Sequence, residues 1–98
     1  MNIAYEFLKN YVPIKSALKV RSNGDMLIAV NFNAELYYLN GMAQDIWSFI
    51  DNEISINGLK DKILSEYDAE PEVIENDLAE FIRDLQWKKL IRLKGGIR

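Results

Sequence analysis

Residues 35–51 read ELYYLNGMAQDIWSFID, and this stretch decides the fold because a strand pattern passes directly into a helix pattern. Tyr37, Tyr38 and Leu39 favour a pleated, half-buried strand. Asn40 suits a helix N-cap, since its side-chain oxygen can accept a hydrogen bond from a free N–H of the first helical turn. Three apolar residues then recur at three- and four-residue steps and form one helix face, Ile46, Phe49 and Ile50. The junction predicts a sheet upstream packed on helices downstream.

The residues before this junction predict a small antiparallel sheet. Ala17–Arg21 alternates apolar with basic side chains, and Met26–Val30 is apolar throughout. Between them, Asn23-Gly24 is typical of a tight hairpin, because both residue types adopt positive φ. Glu35–Leu39 is the third strand of the meander and lies at its edge unless something else pairs with it. An edge strand keeps unpaired backbone N–H and C=O groups.

The residues after the junction predict three helices, over Gly41–Ile50, Ile56–Tyr67 and Pro71–Lys89. Ser55 caps the second helix, and Pro71 suits the first position of the third. The third helix carries an apolar stripe made of Ile74, Leu78, Phe81, Ile82 and Leu85. We assign four residues to the core first: Leu39, Ile46, Phe81 and Leu85. The fold class expected is α+β, with a three-stranded antiparallel sheet followed by three helices.

The 98 residues suit a single domain, which we place at residues 12–94. Residues 1–11 are an N-terminal arm or short helix, which docks on the domain, contacts a second copy or stays partly disordered. Pro13 stops any helix that continues through it. Residues 95–98 follow the domain as a flexible C-terminus that contains Gly95-Gly96.

The composition removes several classes of function. The chain has no cysteine and no histidine, which excludes thiolate nucleophiles, Cys/His zinc sites and histidine acid–base catalysis. Its carboxylates lie at helix ends and on polar faces, where solvated charge is the usual explanation. We therefore expect no catalysis, no cofactor and no metal. Without a long apolar run or a signal-peptide pattern, we expect a cytoplasmic protein that does not enter a membrane.

The net charge of −3 is unevenly distributed along the chain. Residues 22–82 contain thirteen acidic residues and two lysines, whereas basic residues predominate on both sides of this segment. One interpretation is an ordinary solvated surface with basic ends. The other is an acidic helical face beside a basic sheet or tail, which would orient a charged partner.

Two functions remain open from the residues alone, besides a plain interaction or dimerisation module. Three helices beside a small sheet suit a winged-helix DNA-binding regulator. However, Glu72, Glu75, Asp77 and Glu80 would repel phosphate from the third helix. In the second function, an extended peptide pairs with the edge at Glu35–Leu39 while Tyr37 and Tyr38 project to opposite faces. Its alternative is that Leu36, Tyr38 and the helix stripe only fill the core.

The junction also resembles a known family. Residues 39–47, LNGMAQDIW, are similar to the LN-x-x-A-x-x-I-W junction of PqqD-like proteins. Asp77-Leu78, Phe81, Leu85 and Leu90-Ile91 occupy the positions that the family uses in its third helix and the segment after it. The resemblance covers residues 18–93. Two features depart from the pattern: Lys88-Lys89-Leu90 lacks the usual glycine, and residues 1–11 have no counterpart.

The resemblance implies a winged-helix-turn-helix-like fold and the role of a recognition element for ribosomally made, modified peptides. Such proteins bind the leader segment of a precursor peptide and present it to a modifying enzyme, such as a radical-SAM maturase or a leader peptidase. The leader is expected to add as a strand beside the third strand and to lie against the third helix. Nucleic acid is not an expected partner, and the protein is expected to be a monomer or a homodimer.

From the residues and the resemblance together, we expect the peptide to pair with the backbone of Glu35, Leu36, Tyr37, Tyr38 and Leu39. The expected walls of its apolar pocket are Ile74, Leu78, Phe81 and Ile82. Asp77 or Arg83 is expected to hold a polar group of the leader.

Overall fold

The computed structural model describes residues 2–95, which form four helices and five strands. In chain order these are α1 Ile3–Leu8, β1 Val12–Lys15, β2 Lys19–Asn23, β3 Met26–Val30, β4 Leu36–Asn40, α2 Met42–Phe49, α3 Ile56–Glu66, α4 Pro71–Trp87 and β5 Ile91–Lys94. The predicted α+β class is confirmed. Its order is extended by a helix before the sheet and by a second, small sheet. Of the predicted flexible C-terminus, residues 96–98 lie outside the described residues.

The main sheet is antiparallel in the order β2-β3-β4. β2 and β3 are joined by the two-residue turn Gly24-Asp25, with Asn23 opposite Met26. Gly24 has a φ of 65°, and Asp25 is not among the residues with positive φ. The glycine therefore supplies the backbone conformation that a two-residue hairpin needs.

A second sheet pairs β1 with β5, from Val12 opposite Lys94 to Lys15 opposite Ile91. The sequence patterns did not predict these strands. The Lys15 ammonium lies 5.0 Å from the centroid of the Trp47 ring on α2, and burial lowers the pKa of Lys15. The small sheet thus joins two segments distant in sequence and packs beside α2.

The predicted helices are present with adjusted ends. The Ser55 side chain caps α3 by accepting from the N–H of Gly58 at 3.1 Å, as predicted. Asn40 is not the cap of α2. It is the last residue of β4, and Gly41 occupies the cap position with a φ of 59° and ψ of −136°. Only glycine adopts this conformation readily, so the chain turns from strand to helix at Gly41.

The first eleven residues contain a docked helix, one of the three predicted alternatives. The Tyr5 side chain of α1 is buried, with its hydroxyl donating to Asn57 Oδ1 at 2.7 Å. Burial, with smaller contributions from nearby carboxylates, raises the pKa of Tyr5. The Asn2 side chain caps α1 and donates to Asn76 Oδ1 on α4 at 2.8 Å. α1 therefore contributes a side chain to the core.

One hydrophobic core lies between the main sheet and the helices. Leu39, Ile46 and Leu85 are buried in it, as assigned. Phe81, also assigned to the core, is half-buried at its margin. Within residues 2–95, every helix is too short or too polar to cross a membrane.

Candidate functional site

β4 is an outer strand of the main sheet, and its ladder shows which of its backbone groups are free. The N–H of Asn31 donates to the carbonyl of Glu35 at 3.0 Å, one step beyond the pair of Val30 and Leu36. In an antiparallel ladder, opposite residues that exchange backbone hydrogen bonds alternate with opposite residues that do not. The pair of Val30 and Leu36 is therefore of the second kind.

The same alternation assigns the rest of β4. The backbone groups of Tyr37 and Leu39 point to β3, whereas the N–H and C=O groups of Leu36 and Tyr38 point away from the sheet. Among residues 2–95 no backbone group pairs with these outward groups. Two donors and two acceptors, two residues apart, are what an added strand requires.

The side chains of β4 alternate between the two faces of the sheet. Leu39 is buried and Tyr37 is half-buried on the face toward the helices, while Leu36 and Tyr38 are 50% and 61% exposed on the outer face. The predicted opposite projection of Tyr37 and Tyr38 is therefore present. Leu36 and Tyr38 do not fill the core.

One flank of α4 lies beside the inner face of β4. The Lys88 ammonium is 5.1 Å from the centroid of the Tyr37 ring and 2.8 Å from Asp84 Oδ2. Phe81 and Asp77 precede Asp84 at three- and four-residue steps, and so they lie along the same side of the helix. Phe81 is half-buried and Asp77 is exposed. This flank offers an aromatic surface bordered by carboxylates.

Asn31 joins the start of β4 to the end of α4. Its side chain is 0% exposed and makes four hydrogen bonds. The amide group donates to the carbonyl of Lys88 at 2.7 Å and to Glu35 Oε1 at 2.8 Å. The amide oxygen accepts from the N–H groups of Asn33 and Glu35 at 2.9 and 3.0 Å. The distance between β4 and α4 is thus set by a buried side chain.

The structure separates the residues that were predicted to contact a peptide. Leu36, Tyr37 and Tyr38 belong to β4 itself, and Phe81 and Asp77 lie on the side of α4 that leads to Lys88. Glu35 lies in the preceding turn, where its carboxylate accepts from Asn31. The remaining four, Leu39, Ile74, Leu78 and Ile82, are at most 3% exposed.

The expectation that Ile74, Leu78 and Ile82 form the walls of a pocket needs correction. Their side chains pack in the core and present no surface to a peptide in this structure. Arg83, proposed for a polar contact, lies on another side of α4, beside Leu8 of α1.

Two residues of the site did not emerge from the sequence patterns. Asn31 lies in a segment that reads as an ordinary turn, and nothing in its spacing indicates burial. Lys88 lies near the end of the predicted third helix, and no sequence pattern indicates its aromatic contact. Both residues make their contacts only because β4 and the end of α4 lie close together, and no local sequence pattern indicates that proximity.

Comparison with known proteins agrees with this geometry. The family model for coenzyme PQQ synthesis protein D (PqqD) matches residues 28–91, which begin in β3 and end at the first residue of β5. The chain belongs to the PqqD family. The match confirms the resemblance inferred from the junction and the third helix. It leaves α1, β1 and β2 outside the PqqD region.

A solved structure of TbiB1 in complex with the TbiA(beta) leader peptide has a similar fold. The TM-score is 0.72 and the identity is 24%, over 87% of this chain and 98% of that chain. No curated protein sequence matches the chain.

Proposed function

We propose that this chain is a non-catalytic cytoplasmic protein that binds the leader segment of a ribosomally made precursor peptide. The leader adds as a fourth strand beside β4, and the protein presents the precursor to a modifying enzyme such as a radical-SAM maturase or a leader peptidase. The observation that carries this proposal is the outward backbone of Leu36 and Tyr38. The similar fold of TbiB1, which is known in complex with a leader peptide, supports it.

The geometry suggests how the leader is read. Its backbone pairs with Leu36 and Tyr38, which gives affinity without regard to sequence. Alternate leader side chains point to the inner face, where Tyr37 and Phe81 present aromatic surface. Asp77 lies along the same flank of α4 and favours a polar or basic leader group there.

Hydrogen exchange tests the added strand directly. The probe is a synthetic leader peptide of the short precursor encoded nearest to this chain, titrated into ¹⁵N-labelled protein. We expect the amide protons of Leu36 and Tyr38 to exchange at least about tenfold more slowly in the complex, because they gain partners. The amides of Tyr37 and Leu39, which already face β3, serve as controls in the same strand. Saturating peptide that leaves the Leu36 and Tyr38 amides unprotected would contradict strand addition.

A proline substitution tests the same contact through affinity. Tyr38→Pro removes one outward N–H but no bond to β3, so the protein should fold and bind at least about tenfold more weakly. Tyr38→Ala is the matched control, since it removes the same ring and keeps the N–H. Equal affinity of the two variants in folded protein would show that the N–H is not used.

The presentation step has a separate measurement. The modifying enzyme encoded beside the precursor should process full-length precursor more efficiently, as kcat/KM, when this protein is added. The same enzyme should gain nothing on a precursor without its leader. A gain that persists without the leader would indicate a different role for the protein.

A further inference from the structure

α4 exposes a second surface, away from its flank beside β4. Five residues at alternating three- and four-residue steps are all exposed, Val73, Asn76, Glu80, Arg83 and Trp87. We call this row the outer strip of α4. Such spacing is that of a helix seam that packs against another helix.

The outer strip carries two large apolar side chains that are exposed to solvent. Trp87 is 85% exposed, and Val73 is 52% exposed. Beside the strip, α1 exposes Ile3 and Phe7 at 80% and 84%. Large apolar side chains clustered in this way mark interaction surfaces, whereas scattered ones do not.

A groove runs between the outer strip and α1. One part is lined by residues of α4 alone, Glu80, Arg83, Asp84, Gln86 and Trp87. The other part is lined by residues of both helices, Ala4, Phe7, Leu8, Arg83 and Gln86. Arg83 and Gln86 border both parts. Phe7 borders the groove and also protrudes from it.

The charges on the outer strip of one copy are complementary to those on the outer strip of a second copy. Glu80 and Arg83 occupy neighbouring positions at its centre, and neither makes an ion pair within residues 2–95. When two such strips pack antiparallel about a two-fold axis between these residues, Glu80 of each copy faces Arg83 of the other. Trp87 of each copy then meets Asn76 of the other, where α1 begins.

We infer that the outer strip of α4, together with α1, is the contact surface for a second copy of this chain in an antiparallel two-fold dimer. A two-fold contact uses the same patch on both copies, and the charges at the centre of this patch are self-complementary. The dimer leaves the edge of β4 open in both copies, because Phe81 and Trp87 are six residues apart and project about 120° from each other around α4. Dimer formation is thus independent of peptide binding.

Sedimentation equilibrium of the peptide-free protein tests the dimer. We expect the mean mass to rise from 11.4 kDa toward twice that value as concentration increases through about 10–500 µM, since contacts of one or two helices are small and weak. Trp87→Ala and Phe7→Ala should each weaken the dimer at least about tenfold. A mass that stays at 11.4 kDa over the whole range would overturn the inference.

Charge reversal tests the antiparallel arrangement. Glu80→Arg places four basic groups at the centre of the contact, and Arg83→Glu places four acidic groups there, so each variant alone should be monomeric. An equimolar mixture of the two variants brings opposite charges together and should form a mixed dimer. The double variant E80R/R83E should recover the dimer of the unmodified chain.

Arg21→Glu on β2 is the matched control, since it makes the same change of charge away from the strip and should leave dimerisation unchanged. All these substitutions are at exposed positions, and melting temperatures confirm that each variant folds. A dimer that tolerates both single reversals, or that the double variant fails to restore, would contradict this contact. Either result would leave the test of leader binding at β4 unaffected.

Discussion

The main sheet has two edge strands, β2 and β4, and they differ in the charge of their side chains. All five residues of β2 are exposed, and the strand carries Lys19 and Arg21. β4 carries no charged residue, and the Lys88 side chain at the end of α4 reaches over its Tyr37. Charged side chains on an edge oppose pairing with another chain. The difference indicates that β2 is protected against strand addition and β4 is available for it.

The two edges also differ in how firmly they are held. β4 is preceded by the buried Asn31 and followed by the positive-φ backbone of Gly41, and Lys88 contacts its Tyr37 on one side. β2 ends in a hairpin turn and has no comparable side-chain anchor among residues 2–95. A held edge loses less conformational entropy when a ligand pairs with it. β4 therefore combines a firmly held backbone with unpaired outward N–H and C=O groups.

Replacing Asn31 should have the largest effect, because this residue holds β4 and has no counterpart at β2 among residues 2–95. Asn31→Ala removes four side-chain hydrogen bonds and leaves the part-buried carbonyl of Lys88 without its donor. An unsatisfied buried group costs about 1–3 kcal/mol, so we expect a loss of about 3 kcal/mol in the free energy of unfolding. Urea denaturation measures it. Peptide affinity should fall as well, because β4 loses its distance from α4.

Asn23→Ala is the matched control for this change, since it removes the same residue type from the end of β2. No hydrogen bond of the Asn23 side chain is present within residues 2–95, and we expect a change within about 0.5 kcal/mol. Equal losses for the two variants would mean that the anchor contributes nothing particular to β4.

Replacing Gly41 should have the second largest effect. Nothing lies within 4 Å of a Cβ built on Gly41, so Gly41→Ala causes no collision. The cost is the backbone conformation, which an L-residue adopts at about 1–3 kcal/mol. Thermal unfolding should show this loss with an unchanged far-UV circular dichroism spectrum. A stability equal to that of the unmodified chain would mean that the junction relaxes to another conformation.

These two positions show what could be predicted from the sequence and what could not. The strand and helix periodicities predicted β2, β3, β4 and the three later helices, because each is a local pattern. Asn40 was a reasonable cap by residue type, but the strand runs one residue further and the turn falls on Gly41. The choice depends on the register of β4 against β3, which is not local.

The missing elements have the same physical cause. β1 and β5 lie about 80 residues apart and stabilise each other, so neither short segment gives a strong signal alone. The apolar stripe of α4 showed which side of the helix is buried, but not what covers it. Ile74 and Ile82 were therefore assigned to a ligand although the core takes them, and Phe81 was assigned to the core although it remains partly exposed.

Replacing Lys88 should alter the flank of β4 with little effect on the fold. Lys88→Met removes the ion pair with Asp84 and the cation over the Tyr37 ring, while the carbonyl that Asn31 uses is kept. Partly exposed contacts of this kind contribute about 0.5–1 kcal/mol each, and the methionine replaces part of the packing. We expect a loss below about 1 kcal/mol in urea denaturation. Tyr37 ring signals in NMR spectra should shift, whereas those of Tyr38 on the other face should not.

Replacing Lys89 should give the smallest effect, and of opposite sign. Lys89 has a φ of 59°, and the N–H groups of Lys89 and Leu90 donate to the carbonyls of Gln86 and Leu85 at 3.0 Å. This is a helix end that normally uses glycine, and the family resemblance leads one to expect a glycine near it. Lys89→Gly relieves the left-handed strain of an L-residue, about 1–2 kcal/mol, but gains entropy in the unfolded chain.

The net stabilisation expected for Lys89→Gly is therefore about 0.5 kcal/mol, seen as a small rise in Tm. Lys89→Ala is the matched control, because it removes the same charge and keeps the strain, and it should not raise Tm. Peptide affinity should stay the same in both variants, since the end of α4 keeps its carbonyl bond to Asn31. A gain from alanine equal to that from glycine would assign the effect to charge. The lysine that this chain has in place of the family's glycine would then cause no backbone strain.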